Sequence, residues 1–155
     1  MNSITARITA LLKATKKLVL GCKNSIIPDD GSVEIIGAFA FNGCTGAKSI
    51  TIPEVIKELG YMAFARTDFE ELIVPQSVEL IGESCFTLNP RLINITIKNK
   101  CTKISDIAFG TKTEKVEYFK VDFDKYNSDN LKIYAPANST TIAYAQKFNI
   151  SYEEI

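Results

Sequence analysis

A period of 22–23 residues runs through this chain, and a fixed period constrains a fold more tightly than any local propensity. Ile36-Gly37-Ala38-Phe39-Ala40-Phe41 aligns with Leu59-Gly60-Tyr61-Met62-Ala63-Phe64, then with Ile81-Gly82-Glu83-Ser84-Cys85-Phe86 and Ile104-Ser105-Asp106-Ile107-Ala108-Phe109. The closing residues Phe41, Phe64, Phe86 and Phe109 stand 23, 22 and 23 residues apart. The glycine column keeps those intervals and ends in Ser105. Upstream lies a second block, Ile50-Thr51-Ile52-Pro53, Leu72-Ile73-Val74-Pro75 and Ile95-Thr96-Ile97-Lys98, which Ile26-Ile27-Pro28 leads after an insertion at Asp30-Gly31. One unit reads L-x-x-I-x-I-P-x-x-V-x-x-I-G-x-x-A-F-x-x-C.

Each column has a physical role. The I-x-I alternation predicts a short strand with its apolar side chains on one face, and the proline closes it where no ladder hydrogen bond is asked of it. The pairs Val33/Ile36, Ile56/Leu59, Val78/Ile81 and Cys101/Ile104 supply further inward positions. The glycine suits a positive φ or a close backbone approach. Ala-Phe is expected on one turn of helix. Equivalent residues of successive coils then stack about 4.8 Å apart, and the four phenylalanines form an internal aromatic column.

A coil of this kind has exposed ends that need covers. At the N-terminus, 10–14 and 17–20 flank Thr15-Lys16 and read as a hairpin, with a helix through Ile4, Ile8, Leu11 and Leu12 as the competing reading. After Gly110 the register fades. Val116, Tyr118, Val121 and Phe123 suggest one or two longer strands, and Leu131-Lys132-Ile133-Tyr134 a further one. Pro136 breaks that strand, Asn138 or Ser139 caps a closing helix with Ile142, Ala145 and Phe148 on one face, and Asn149 ends it. The expectation is therefore a single α/β solenoid domain over 1–155: an N-terminal cap over 1–24, about four repeats over 25–110, and a degenerate repeat with C-terminal cap over 111–155. The 155 residues suit one domain of ordinary size.

Charge and composition narrow the function. Eighteen basic residues balance eighteen acidic ones, so the counterion-displacing basic face of a nucleic-acid binder is not expected. Histidine is absent, which removes the commonest general base and the commonest metal ligand. Apolar runs such as 18–22 are far shorter than the roughly 20 residues of a spanning helix, and the N-terminus does not read as a signal peptide. The cysteines Cys22, Cys44, Cys85 and Cys101 lack zinc-site spacing and occupy columns read as inward, so they are expected to be buried thiols, a Cys22–Cys44 disulfide being the alternative. Asp122-x-Asp124-x-Tyr126 resembles the start of a calcium loop, but Asn127 and Ile133 stand where glycine and glutamate are needed. Asp122 and Asp124 on one strand face read as a solvated face rather than a glycosidase pair, and Ser84 and Cys85 have no histidine to take a proton. Lys13, Lys16, Lys17 and Lys23 read as charges that blunt an edge. No catalytic residue, cofactor or metal is expected.

The outward strand positions are the informative surface. Lys48, Ser49 and Thr51, then Glu70, Glu71 and Ile73, then Ile93, Asn94 and Thr96 stack into a short open sheet. Ile73 and Ile93 are apolar residues among polar ones; they read either as a binding spot or as ordinary surface.

The unit Leu72-x-Val74-Pro75-x-x-Val78-x-x-Ile81-Gly82-x-x-Cys85-Phe86 resembles the BspA-like leucine-rich repeats, as does the stretch from Leu18 to Pro28. Residues 131–140 with Tyr144-Ala145 are similar to the cap that follows such arrays. Ser105, Lys98 and the 110–130 segment depart from the pattern. The resemblance implies a leucine-rich-repeat solenoid in a secreted or cell-surface protein, non-catalytic and adhesin-like, with a host or extracellular-matrix protein as partner. A structural spacer or self-assembly unit is the alternative, and a cytoplasmic location stays open. The Asn-x-Thr/Ser sites at Asn94, Asn138 and Asn149 are coincidental in a chain of that kind.

Overall fold

The computed structural model describes residues 16–18, 26–110 and 130–155. Among the described residues, nine short strands and one helix follow in order: β1 (Lys17–Leu18), β2 (Ile35–Ile36), β3 (Glu58–Leu59), β4 (Glu71–Val74), β5 (Leu80–Ile81), β6 (Asn94–Ile97), β7 (Lys103–Ile104), β8 (Lys132–Ala135), α1 (Thr140–Lys147) and β9 (Ser151–Glu154). All ladders are parallel and join successive coils, giving one sheet in the order β1-β2-β3-β5-β7 and another in the order β4-β6-β8-β9. The isolated bridge Thr51↔Ile73 adds a rung ahead of β4. The chain is a parallel β-solenoid of about four turns.

The phenylalanine file runs through its interior. Phe41 and Phe64 stack at 5.3 Å and 3°, Phe64 and Phe86 at 6.1 Å and 14°, and Phe86 meets Phe109 at 5.1 Å. The file continues into the cap, where Tyr144 lies 5.8 Å from Phe109 and 4.6 Å from Phe148. Burial pushes the Tyr144 hydroxyl up to about 12, and it donates to the Asp106 carbonyl at 3.3 Å. Around the file the columns Ile36/Leu59/Ile81, Val33/Ile56/Val78 and Leu72/Ile95/Ile133 are buried, and the charged residues lie outside.

Two expectations are corrected. Ala-Phe does not sit on a helical turn. The N–H groups of Phe41, Phe64 and Phe86 donate to Ala63, Cys85 and Ala108 of the next coil at 2.8–2.9 Å, so they are spent between coils rather than within a helix. Phe39, Met62 and Ser84 take positive φ and break any helical run. The stretch is a series of tight turns, and a second sheet, made of two-residue strands of which β2, β3 and β5 end just before a glycine, runs down the coil beside it. The glycine column is explained by close approach. A Cβ on Gly37 or Gly60 would come within 2.6 and 2.9 Å of the Leu18 and Ile36 carbonyl oxygens. The amides of Gly37, Gly60 and Gly82 bond those same carbonyls and that of Leu59 at 2.7–2.8 Å, and Ser105 makes the equivalent bond to Ile81 at 3.0 Å.

The second correction concerns Cys101. It is exposed, and Thr102 takes the inward position with its hydroxyl donating to the Val78 carbonyl at 3.0 Å. Where Pro75 makes the preceding turn, accepting from the Val78 N–H, Asn99 makes this one: its Oδ1 accepts from the Cys101 N–H at 2.9 Å and its Nδ2 donates to the Val78 carbonyl. The turn slips by one residue between strands that stay 23 apart.

The fading of the register after Gly110 falls on 111–129, outside the described residues; beyond them the expected strand at 131–134 is present as β8, with Asn94 paired to Lys132 and Ile95 to Ile133 at a spacing of 38 instead of 23. α1 forms where expected, with the Ser139 hydroxyl accepting from the Ile142 N–H at 3.2 Å and Asn149 just beyond in a left-handed conformation. The chain then returns as β9, a strand that sequence alternation does not announce. The first arm of the expected hairpin, the helix reading over 4–12, Cys22 and the strands around Val116–Phe123 lie outside the described residues; β1 itself pairs in parallel with β2.

Truncating a ring within a file removes contacts on both sides and leaves a void. Phe64→Ala is expected to lower the unfolding free energy by about 3–5 kcal/mol in urea titration followed by circular dichroism, and a loss below about 1 kcal/mol would contradict the stacked interior.

Candidate functional site: the outer strand face

Strand alternation separates core from surface within a single rung. In β4, Leu72 and Val74 point inward and are buried, whereas Glu71 and Ile73 face solvent. The pairing then fixes which outward residues meet. Thr51, Ile73, Thr96, Tyr134 and Glu153 form one row, and Glu71, Asn94, Lys132 and Ser151 the row beside it. Of the nine residues expected on this face, Thr51, Glu71, Ile73, Asn94 and Thr96 stand in those rows, and Lys48, Ser49, Glu70 and Ile93 precede them at the strand starts, where the Ile93 N–H bonds the Glu70 carbonyl at 3.0 Å. The face extends two rungs further than the repeat columns suggest. Lys132, Tyr134, Ser151 and Glu153 belong to it, because the cap strands continue the sheet.

Most charges on this side pair with one another. Lys48 reaches Glu70 at 3.1 Å, and Lys132 reaches Glu153 at 2.6 Å. That bond to Glu153 holds the Lys132 ammonium above the usual lysine range, and the same ammonium lies 5.3 Å from the Tyr134 ring. Lys98–Glu54 and Arg91–Asp68, both at 3.8 Å, lie at the borders. Glu71 accepts from the Asn94 amide at 3.2 Å. Such exposed pairs are screened by solvent and contribute little, so the face is held by the sheet beneath it and not by its own charges.

Beneath it sits a residue that column reading missed. Asn89 occupies the position three after the file phenylalanine, which in the two preceding coils is Thr67 and Cys44, all buried. Its Nδ2 donates to the Phe64 and Phe86 carbonyls at 2.8 and 3.0 Å, while its Oδ1 accepts from the Thr67 N–H and hydroxyl at 2.7 and 3.0 Å. One amide thereby fixes the bend that delivers β4 and β6 to the face. Its signal in the sequence is an amide in a column that holds Cys44 and Thr67 in the two preceding units.

Cys85 lies fully inside the coil, where burial drives its thiol well above the normal range and keeps it protonated. Cys44 is buried as expected. Asp122 and Asp124 lie outside the described residues. Among the described residues, no three histidine, cysteine, aspartate or glutamate side chains gather as a metal site would need, and no helix is long and apolar enough to cross a membrane.

A family profile described as BspA type Leucine rich repeat region matches residues 19–143 in six copies. No curated protein and no solved structure matches the chain. The six copies extend the array beyond the four phenylalanine-bearing units, in keeping with β8 standing in register as a further rung.

The one-residue slip at Asn99 has a chemical readout. Brief treatment of the folded protein with a maleimide, followed by peptide mass mapping, should label Cys101 and spare Cys85; equal labelling of the two would contradict the placement.

Proposed function

The chain belongs to the BspA-type leucine-rich-repeat family, and on that premise we propose that it is a non-catalytic module of a secreted or cell-surface protein, adhesin-like, that docks a host or extracellular-matrix protein on its outer strand face. One observation carries the reading: β4, β6, β8 and β9, with Thr51 ahead of them, hold their outward side chains in fixed rows on a surface that exposes Ile73, at 53% of full accessibility, with Ile93 at 42% at the start of the adjacent rung. Solenoids bind through extended surfaces of this kind, on which many shallow contacts are pre-ordered by the stack beneath. Pre-ordering matters because a partner then loses affinity only to its own ordering and not to that of the module. The absence of histidine and the self-paired charges of the face favour recognition over turnover. The secreted or surface location rests on the family resemblance.

Ile73→Asp tests the docking surface. The side chain faces solvent, so the urea midpoint should stay within about 0.5 kcal/mol of the parent in stability. Retention on a panel of immobilised extracellular-matrix proteins, read by surface plasmon resonance, should fall at least about tenfold, equivalent to about 1.4 kcal/mol. Matrix binding that survives the substitution unchanged would overturn this choice of surface.

A further inference from the structure

The charges of the strand face leave one carboxylate over. Glu70 is answered by Lys48 at 3.1 Å and Glu153 by Lys132 at 2.6 Å. Glu71, between them in the sheet, has no ion pair among the described residues and is held only by the neutral amide of Asn94 at 3.2 Å. The next cation along its row is Lys132, two rungs away, whose ammonium is already committed to Glu153 and lies against the Tyr134 ring. Two residues along the same strand and on the same face, Ile73 is exposed, and Ile93 is exposed at the start of the adjacent rung. A lone anion beside aliphatic surface is the complement of a cation beside an apolar side chain.

We infer that the face takes an extended basic segment of its protein partner, with a lysine or arginine set on Glu71 and a neighbouring aliphatic or aromatic side chain laid over Ile73. The inference rests on the proposal that the strand face is the docking surface, and adds the chemistry of what docks there. An extended segment suits the spacing, because side chains two residues apart on a strand fall on one face, as Glu71 and Ile73 do. A partner's guanidinium or ammonium would neutralise Glu71 as apolar contact around Ile73 displaces water, which strengthens the pair relative to a fully solvated one.

An arrayed octapeptide library, with each position fixed in turn and the others randomised, is probed with the purified protein and with Glu71→Lys and Ile73→Asp, each first checked for an unchanged circular dichroism spectrum and urea midpoint. The parent protein is expected to select lysine or arginine at one position with an aliphatic or aromatic residue within two places of it. Glu71→Lys should shift that position to aspartate or glutamate and weaken the best parent peptide at least about tenfold. Selection without a basic preference, or a basic preference that survives Glu71→Lys, overturns the inference; if Ile73→Asp still weakens those peptides, the docking surface stands without it. Binding indifferent to Ile73→Asp overturns the surface and the inference together. No selection of any peptide, alongside matrix binding sensitive to Ile73→Asp, also overturns the extended basic segment.

Discussion

Everything in this molecule depends on how closely successive coils lie and on where their backbone hydrogen bonds go. At the strand ends, amides donate back to the preceding coil, as Gly60 does to Ile36 and Glu70 to Lys48. On the turn side they donate forward, as Phe41 does to Ala63 and Phe64 to Cys85. Each inner coil is therefore tied to both neighbours by bonds of opposite sense, and a backbone this short of internal partners has no stable conformation alone. The glycine column permits the approach, since a Cβ at Gly60 would lie 2.9 Å from the Ile36 carbonyl. Once the coils are that close, the rings of Phe41, Phe64, Phe86 and Phe109 have no arrangement open to them except a file.

The binding surface is a by-product of that constraint. The rung that buries Leu72 and Val74 exposes Glu71 and Ile73 with no further device, and the ladder then carries those positions into rows. Because the outward residues contribute little to the stack, they can vary in charge and shape while the interior stays fixed. A repeat fold can in this way present different partners with different faces from one architecture.

Much of this was legible in the sequence, for a physical reason. Every coil meets the same neighbours, so the demand for phenylalanine, glycine or alternating isoleucine recurs and becomes visible as a column. Features answered by a single residue were not legible. The two-residue strands such as Glu58–Leu59 are too short to show alternation, and their apolar pairs read as mere packing. Asn99 replaces proline's turn with side-chain hydrogen bonds and slides Cys101 outward, which no spacing rule anticipates. β8 keeps the register across 38 residues, so counting alone loses it, and β9 has all four residues exposed and thus no pattern to count. On the candidate face, the repeat gave the rungs up to Thr96, whereas Lys132, Tyr134 and Glu153 required the pairing itself.

The central claim is that side chains are coupled to those of adjacent coils and not beyond. Double-mutant cycles measure that directly: conservative Phe→Leu changes at Phe64 with Phe86, and at Phe41 with Phe109, each followed by urea unfolding. Adjacent Phe64 and Phe86 should show a coupling energy above about 0.5 kcal/mol, while Phe41 and Phe109, at the two ends of the file, should add within about 0.3–0.5 kcal/mol. Equal coupling in the two pairs, or none between Phe64 and Phe86, would contradict it.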